Sequence, residues 1–281
     1  MELGLPETKP VEADRYAVIA GNGGFPFLVL EAAREQGIEP LVVAIQEEAS
    51  PDLNRVASTI RWLSLGEISK LLEMLTTERV SKVVLAGQVK HAQLFSSIQT
   101  DGLVSRLLQG LHRKNTDALI GAFVRMIEGR GIQVVDSTLF LKPLLASEGQ
   151  LTPRAPDASE QADVAYGREI AKRIAGLDLG QTIVVADRAC VAVEAMEGTD
   201  ATIERAATLS KGRRLVVVKV SKPQQDMRFD VPVVGVKTIR VMDRANARVL
   251  AVDSGRTLLF ERDQLILEAD QAGIAVIGIK D

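Results

Sequence analysis

Three carboxylates fall within one short stretch, Glu194-Ala195-Met196-Glu197-Gly198-Thr199-Asp200, which reads as a strand end passing through a glycine turn into a helix. Carboxylates at a strand end can hold a magnesium ion through one or two oxygens and leave its other positions to water and phosphate. The plainer reading has Thr199 or Asp200 capping the helix while Glu194 and Glu197 face water. Further on, the stretch from Lys219 to Pro232 sets Lys219, Lys222 and Arg228 among Asp226 and Asp230. Such alternation suits a diphosphate: cations neutralise the anionic oxygens, and a carboxylate positions a metal or a water for phosphorus–oxygen cleavage. Without that role the same stretch is a solvated loop of mixed charge.

Small residues recur at two turns in the first half. Gly21-Asn22-Gly23-Gly24-Phe25-Pro26 follows an aliphatic run, and Ala86-Gly87-Gln88-Val89 follows another. At the carboxyl edge of a parallel sheet, turns of this kind let backbone N–H groups approach a phosphate or sugar. Gly23, Gly24, Phe25, Gly87 and Gln88 are therefore candidate ligand contacts. The dinucleotide fingerprint is incomplete, because Pro26 stands where its third glycine belongs, although Glu47 lies near the position of the ribose-binding acid. Pro26 also fits a first helical turn. His91 has no companion at metal spacing and reads as a surface residue.

These residues need a frame, and the hydrophobic pattern supplies one. Short aliphatic runs at 17–20, 41–45, 82–86 and 133–135 alternate with helical stretches at 26–36, 68–76, 103–112 and 116–129, an order that predicts a parallel, Rossmann-like, doubly wound domain over 15–146. Residues 1–14 read as a loose tail. Glycine, proline and serine between 147 and 162 read as a linker. From 163 to 281, strands near 182–186, 190–194 and 215–220, helices near 163–175, 199–210 and 263–271, and the run 274–279 predict a mixed α+β domain. The fold class is thus α/β with two cores.

The whole chain narrows the choice of function. Its 281 residues suffice for two cores, and 46% apolar against 25% charged residues is the balance of a packed protein. A net charge of -3 supplies no basic field for nucleic acid. Cys190 is the only cysteine and there are two histidines, so neither an intrachain disulfide nor a Cys/His zinc centre can form. A reducing cytoplasm fits. No apolar run reaches about 18 residues, so membrane contact would be peripheral.

Taken together, these segments resemble the LpxI-type UDP-2,3-diacylglucosamine pyrophosphatases along nearly the whole chain. The likeness rests on the turns at Ala20 to Pro26 and Ala86 to Val89, on Asp117 to Leu119, on Glu194 to Asp200, and most specifically on the string from Lys222 to Gly235 with Thr238 beyond it. Where the family often has an acidic pair before Ala-Leu-Leu, this chain has Asn115-Thr116-Asp117. The resemblance implies magnesium-dependent hydrolysis of the UDP-sugar to UMP and 2,3-diacylglucosamine 1-phosphate, a step of lipid A synthesis. It places the protein at the cytoplasmic face of a Gram-negative inner membrane, with substrate between two domains, and leaves homo-oligomerisation open.

By the same resemblance Asp230 is the acid essential for turnover, with Asp200 as its partner. The resulting expectation has Asp230, Asp200 and Glu197 at the metal, with Lys219, Lys222 and Arg228 offsetting developing charge. Thr199 and Gln225 join the glycine turns as substrate contacts. Leu103, Val104, Leu107, Leu108 and Leu111 share a helical face that could meet acyl chains or simply face a core. Two rival readings remain, an NAD-dependent oxidoreductase and a non-catalytic nucleotide-sugar binding module.

Overall fold

The computed structural model describes residues 14–89 and 116–280, and His91 and the face from Leu103 to Leu111 lie outside them. The chain divides into two compact units between Phe140 and Leu141. In the first, β1 (Tyr16–Ala20), α1 (Phe25–Glu35), β2 (Leu41–Ile45), α2 (Leu53–Val56), β3 (Thr59–Leu63), α3 (Ile68–Thr77), β4 (Lys82–Ala86), α4 (Thr116–Glu128) and β5 (Gln133–Val134) follow in order. All pairings are parallel and the strand order is β3-β2-β1-β4-β5. The central strands read as unbroken aliphatic runs because both of their faces are buried: Val18, Val42, Val43, Val83 and Val84 are fully buried. The edge strand β3 alternates instead, which is why its Thr-Ile-Arg-Trp-Leu sequence is less conspicuous as a strand.

The two glycine turns meet at the carboxyl edge, between β1 and β4. Asn22 and Gln88 form an isolated antiparallel bridge: Asn22 N–H donates to the Gln88 carbonyl at 2.7 Å and Gln88 N–H to the Asn22 carbonyl at 3.0 Å. Glycine is required on both sides of this contact. A Cβ on Gly87 would sit 2.6 Å from the Asn22 oxygen and one on Gly21 2.6 Å from the Gln88 oxygen, and Gly87 has φ +93° besides. Gly23 has the same φ but open space around its missing Cβ. Gly87→Ala should therefore destabilise the first unit by about 2–4 kcal/mol through strain and clash, and Gly23→Ala by about 1–2 kcal/mol through strain alone. Urea midpoints of the two variants measure the gap.

The second unit contains β6 (Gly149–Gln150), α5 (Ala158–Gly176), β7 (Thr182–Ala186), β8 (Ala189–Val193), α6 (Thr199–Ser210), β9 (Leu215–Lys219), β10 (Val233–Val234), α7 (Val236–Arg244), β11 (Ala247–Asp253), β12 (Leu258–Leu259), α8 (Arg262–Gln271) and β13 (Ala275–Ile279). Its main sheet has the order β6-β13-β11-β9-β7-β8. β9, β11 and β13 run parallel, β7 and β8 form an antiparallel hairpin on one side, and β6 pairs antiparallel with β13. Residues 147–162, expected as a linker, thus belong to this unit. They supply an edge strand and, through the Asp157/Glu160 capping box, the start of α5. Proline and glycine there mark turns within the domain rather than a passage between domains.

Period-two alternation sorts the strands' side chains into two cores. Ile183, Val185, Val216, Val218, Val249 and Ala251 face α5, whereas Val184, Leu215, Val217, Leu250 and Val252 face α6, α7 and α8 through Ile203, Ile239, Met242 and Leu265. α5 approaches closely because Gly167 leaves room: a Cβ there would lie 2.8 Å from Val218 Cγ2 and 2.9 Å from Val185 Cγ2. The β7–β8 hairpin turn has Asp187 and Arg188 at φ 53° and 55°, and the buried Asp163 of α5 accepts from both their N–H groups.

Candidate functional site

The carboxylate motif and the lysine-rich stretch come together at one end of the second sheet. Lys219 closes β9, and antiparallel pairing sets it opposite Thr182, the first residue of β7. Glu194, just beyond β8, is fastened to the same place: its N–H donates to the Thr182 carbonyl at 2.8 Å, and its Oε2 accepts from Gln181 N–H at 3.2 Å. Gly198, at φ 84°, then turns the chain into α6, so that Thr199 reaches back over the strand ends. Thr199 Oγ1 donates to Glu194 Oε1 at 2.9 Å and accepts from Lys219 Nζ at 2.9 Å, with Thr182 Oγ1 at 3.2 Å.

Lys219 keeps a little solvent-accessible surface, yet its ammonium lies in enough protein for burial to lower its pKa. The negative charges of Glu194, Asp200 and Asp230 oppose that shift. Aspartates from α6 and from the 222–232 segment therefore direct their fields at one ammonium. Asp200 accepts from Thr238 Oγ1 at 2.8 Å and pairs with Lys237 at 3.0 Å. Asp230 pairs with Lys222 at 3.1 Å, and Lys222 pairs also with Asp178 at 2.8 Å.

Gln225 and Arg228 shape the segment between Lys222 and Asp230. The Gln225 side-chain oxygen accepts from Lys222 N–H at 2.6 Å while its amide donates to the Asp230 carbonyl, so this expected substrate contact staples the segment at both ends. Arg228 makes a two-pronged contact with Asp226, at 2.9 Å and 2.8 Å, and holds the Asp226 carboxyl below its ordinary range. Of the cations expected at the diphosphate, Lys219 and Lys222 face the acidic cluster, and Arg228 faces Asp226.

Glu197 does not join Asp200 and Asp230. Its carboxylate accepts from Ala195 N–H at 3.0 Å and from Arg205 at 2.6 Å. Its own backbone N–H, then Arg205, then the Ala195 N–H hold its pKa down at about 2. The sequence places Glu197 three residues from Asp200, but the turn at Gly198 directs it toward Arg205 instead. Because the folded carboxylate titrates at about 2 against an ordinary 4.5, its contribution to stability is complete above pH 4.5 and is lost as pH falls through 2. The Tm gap between the native protein and Glu197→Gln should hold steady down to about pH 5 and close toward pH 2. A gap independent of pH would show that the carboxylate is not depressed.

Among the described residues, no group of three or more His, Cys, Asp or Glu is placed to hold a metal ion. The expected trio of Asp230, Asp200 and Glu197 is thus corrected. A magnesium ion shared with substrate phosphates asks less, since one or two carboxylates suffice and the phosphates and water complete its octahedron. Asp200 and Asp230, whose charges both act on Lys219, supply the one or two carboxylates of that smaller demand.

In the first unit, Gly23 and Gly24 are exposed ahead of α1, whose Pro26 lies in the first turn. Glu47, the support for a dinucleotide reading, is engaged elsewhere: it accepts from the Ser64 hydroxyl and from Leu65 N–H at 3.0 Å, holding the connection after β3. No helix among the described residues is long and apolar enough to cross a membrane.

Fold and site define a two-unit α/β protein with a cluster of opposed charges at the end of the mixed sheet in its second unit. The chain belongs to the LpxI family, whose N-terminal domain matches residues 15–144 and whose C-terminal domain matches residues 147–277. It is 30% identical to the UDP-2,3-diacylglucosamine pyrophosphatase LpxI of Caulobacter vibrioides over 94% of this chain and 97% of that protein. Among solved structures, a CobK precorrin-6A reductase aligns over 95% of this chain and 88% of its own, at 14% identity and a TM-score of 0.29. The biotin carboxylase domain of Hydrogenobacter thermophilus 2-oxoglutarate carboxylase aligns over 71% and 42%, at 11% identity and a TM-score of 0.28. At such scores neither likeness bears on fold or chemistry.

Proposed function

We propose that this protein hydrolyses the diphosphate of UDP-2,3-diacylglucosamine to UMP and 2,3-diacylglucosamine 1-phosphate in lipid A synthesis, with magnesium. The observation that carries the reading is the end-to-end likeness to a relative named for that substrate. The clustered charges give it a chemical basis. Water adds to one phosphorus as the bridging P–O bond breaks, and negative charge grows on the departing phosphate. Lys219 and Lys222 are the side chains that offset this charge, and Asp230 orients the water. Asp200 and Asp230 would hold a magnesium ion, whose contribution is to draw charge from the phosphate oxygens.

We further propose peripheral contact with the cytoplasmic face of the inner membrane, since the substrate carries two acyl chains. Incubation of the protein with UDP-2,3-diacylglucosamine and magnesium, followed by mass analysis, should release UMP and the sugar 1-phosphate. Chelation should lower the rate by at least about 100-fold. Binding without UMP release would instead favour the nucleotide-sugar binding module, and turnover indifferent to chelator would remove the metal.

A further inference from the structure

The Thr199 hydroxyl has one hydrogen and two lone pairs. Glu194 Oε1, 2.9 Å away and buried, takes the hydrogen because a carboxylate can only accept. The lone pairs are left for Lys219 Nζ at 2.9 Å and Thr182 Oγ1 at 3.2 Å, which fixes Thr182 as a donor in this network. Thr199 is therefore saturated, with no hydrogen to offer a phosphate. Glu194 cannot swing away, because Gln181 N–H holds its other oxygen, Thr182 holds its backbone, and the Glu194 carbonyl lies directly against Gly180.

We propose that Glu194, acting through the Thr199 hydroxyl, is the positioning residue that fixes the Lys219 ammonium at the reacting diphosphate. Thr199 is thereby reassigned from substrate contact to the coupling between a buried anion and the cation it aims. The inference rests on the hydrolytic reading above. A lysine side chain has four rotatable carbons and loses much freedom when held, and misplacing a reacting group by about 1 Å can cost about 100-fold. The network removes that freedom before substrate arrives.

Steady-state kinetics on UDP-2,3-diacylglucosamine test the proposal. Thr199→Val keeps the branched shape at the helix start but abolishes the hydrogen bonds, and Glu194→Gln removes the charge. Each should lower kcat by about 30–100-fold with KM within about threefold. The double variant should be no slower than the worse single one, because both break the same chain of contacts. Thr199→Ser restores the hydroxyl and should recover kcat to within about fivefold of the native protein.

Additive losses, a change confined to KM, or Thr199→Ser as slow as Thr199→Val would overturn the proposal. Circular dichroism melts check folding. If Glu194→Gln does not fold, the Thr199→Ser and Thr199→Val comparison decides alone. A native protein that releases no UMP overturns the functional reading itself, whereas native turnover with an unimpaired Thr199→Val sinks only the positioning role.

Discussion

Asp230→Ala should lower kcat by about 1,000-fold or more while the protein stays folded and still binds substrate. The fold should survive because the local structure depends on the Asp230 backbone: its N–H donates to the Asp226 carbonyl at 2.9 Å and its own carbonyl accepts from Gln225. Alanine keeps both. What disappears is a carboxylate with a quarter of its side-chain surface exposed, paired with Lys222 and adding its charge to the field at Lys219. Binding should not weaken much, since removing an anion relieves repulsion of an anionic diphosphate even as a metal ligand is lost. Rapid-quench measurement of UMP release, paired with calorimetric binding, separates the two. An Asp230→Ala protein that turns over at the native rate would end the assignment.

Lys219→Met should be the next most damaging change, lowering kcat by about 100–1,000-fold, as loss of a charge-stabilising donor does elsewhere. It should also cost stability, about 1–3 kcal/mol by urea denaturation. Removing the ammonium leaves the buried Glu194 without the cation it reaches through Thr199, while Asp200 and Asp230 keep Lys237 and Lys222 as partners, which holds the loss below that of a fully buried pair. Methionine approximates the shape of the lysine stem, so a cavity contributes little. The combination distinguishes Lys219 from Lys222, which pairs with Asp230 and with the half-exposed Asp178. A Lys219→Met protein as stable as the native one would show that the acids do not depend on this ammonium.

The fold was legible where side-chain patterns are local. Leu215-Val216-Val217-Val218 announces a buried strand, and the residue after it had to sit at a sheet end. The helices from Thr199 and Arg262 begin within a residue of where capping and periodicity place them. Legibility failed where meaning depends on distant partners. Glu194 lies inside the motif read as chemical, but its link through Thr199 to Lys219 requires the β7–β9 register, which brings Lys219 beside Thr182 from far along the chain. Closeness along the chain groups Glu197 with Asp200, and one glycine at positive φ sends it elsewhere. The stretch 147–162 resembles a linker in sequence because an edge strand of two residues carries almost no pattern.

The bridge between Asn22 and Gln88 bears on what the first unit can become. In doubly wound sheets the opening beside the first strand, where neighbouring connections depart in opposite directions, is the customary seat of a cofactor's pyrophosphate. Here main-chain groups on either side of that opening clasp each other and are already spoken for. Redesigning this half to accept a dinucleotide would therefore require rerouting the polypeptide, since exchanging side chains leaves the clasp in place.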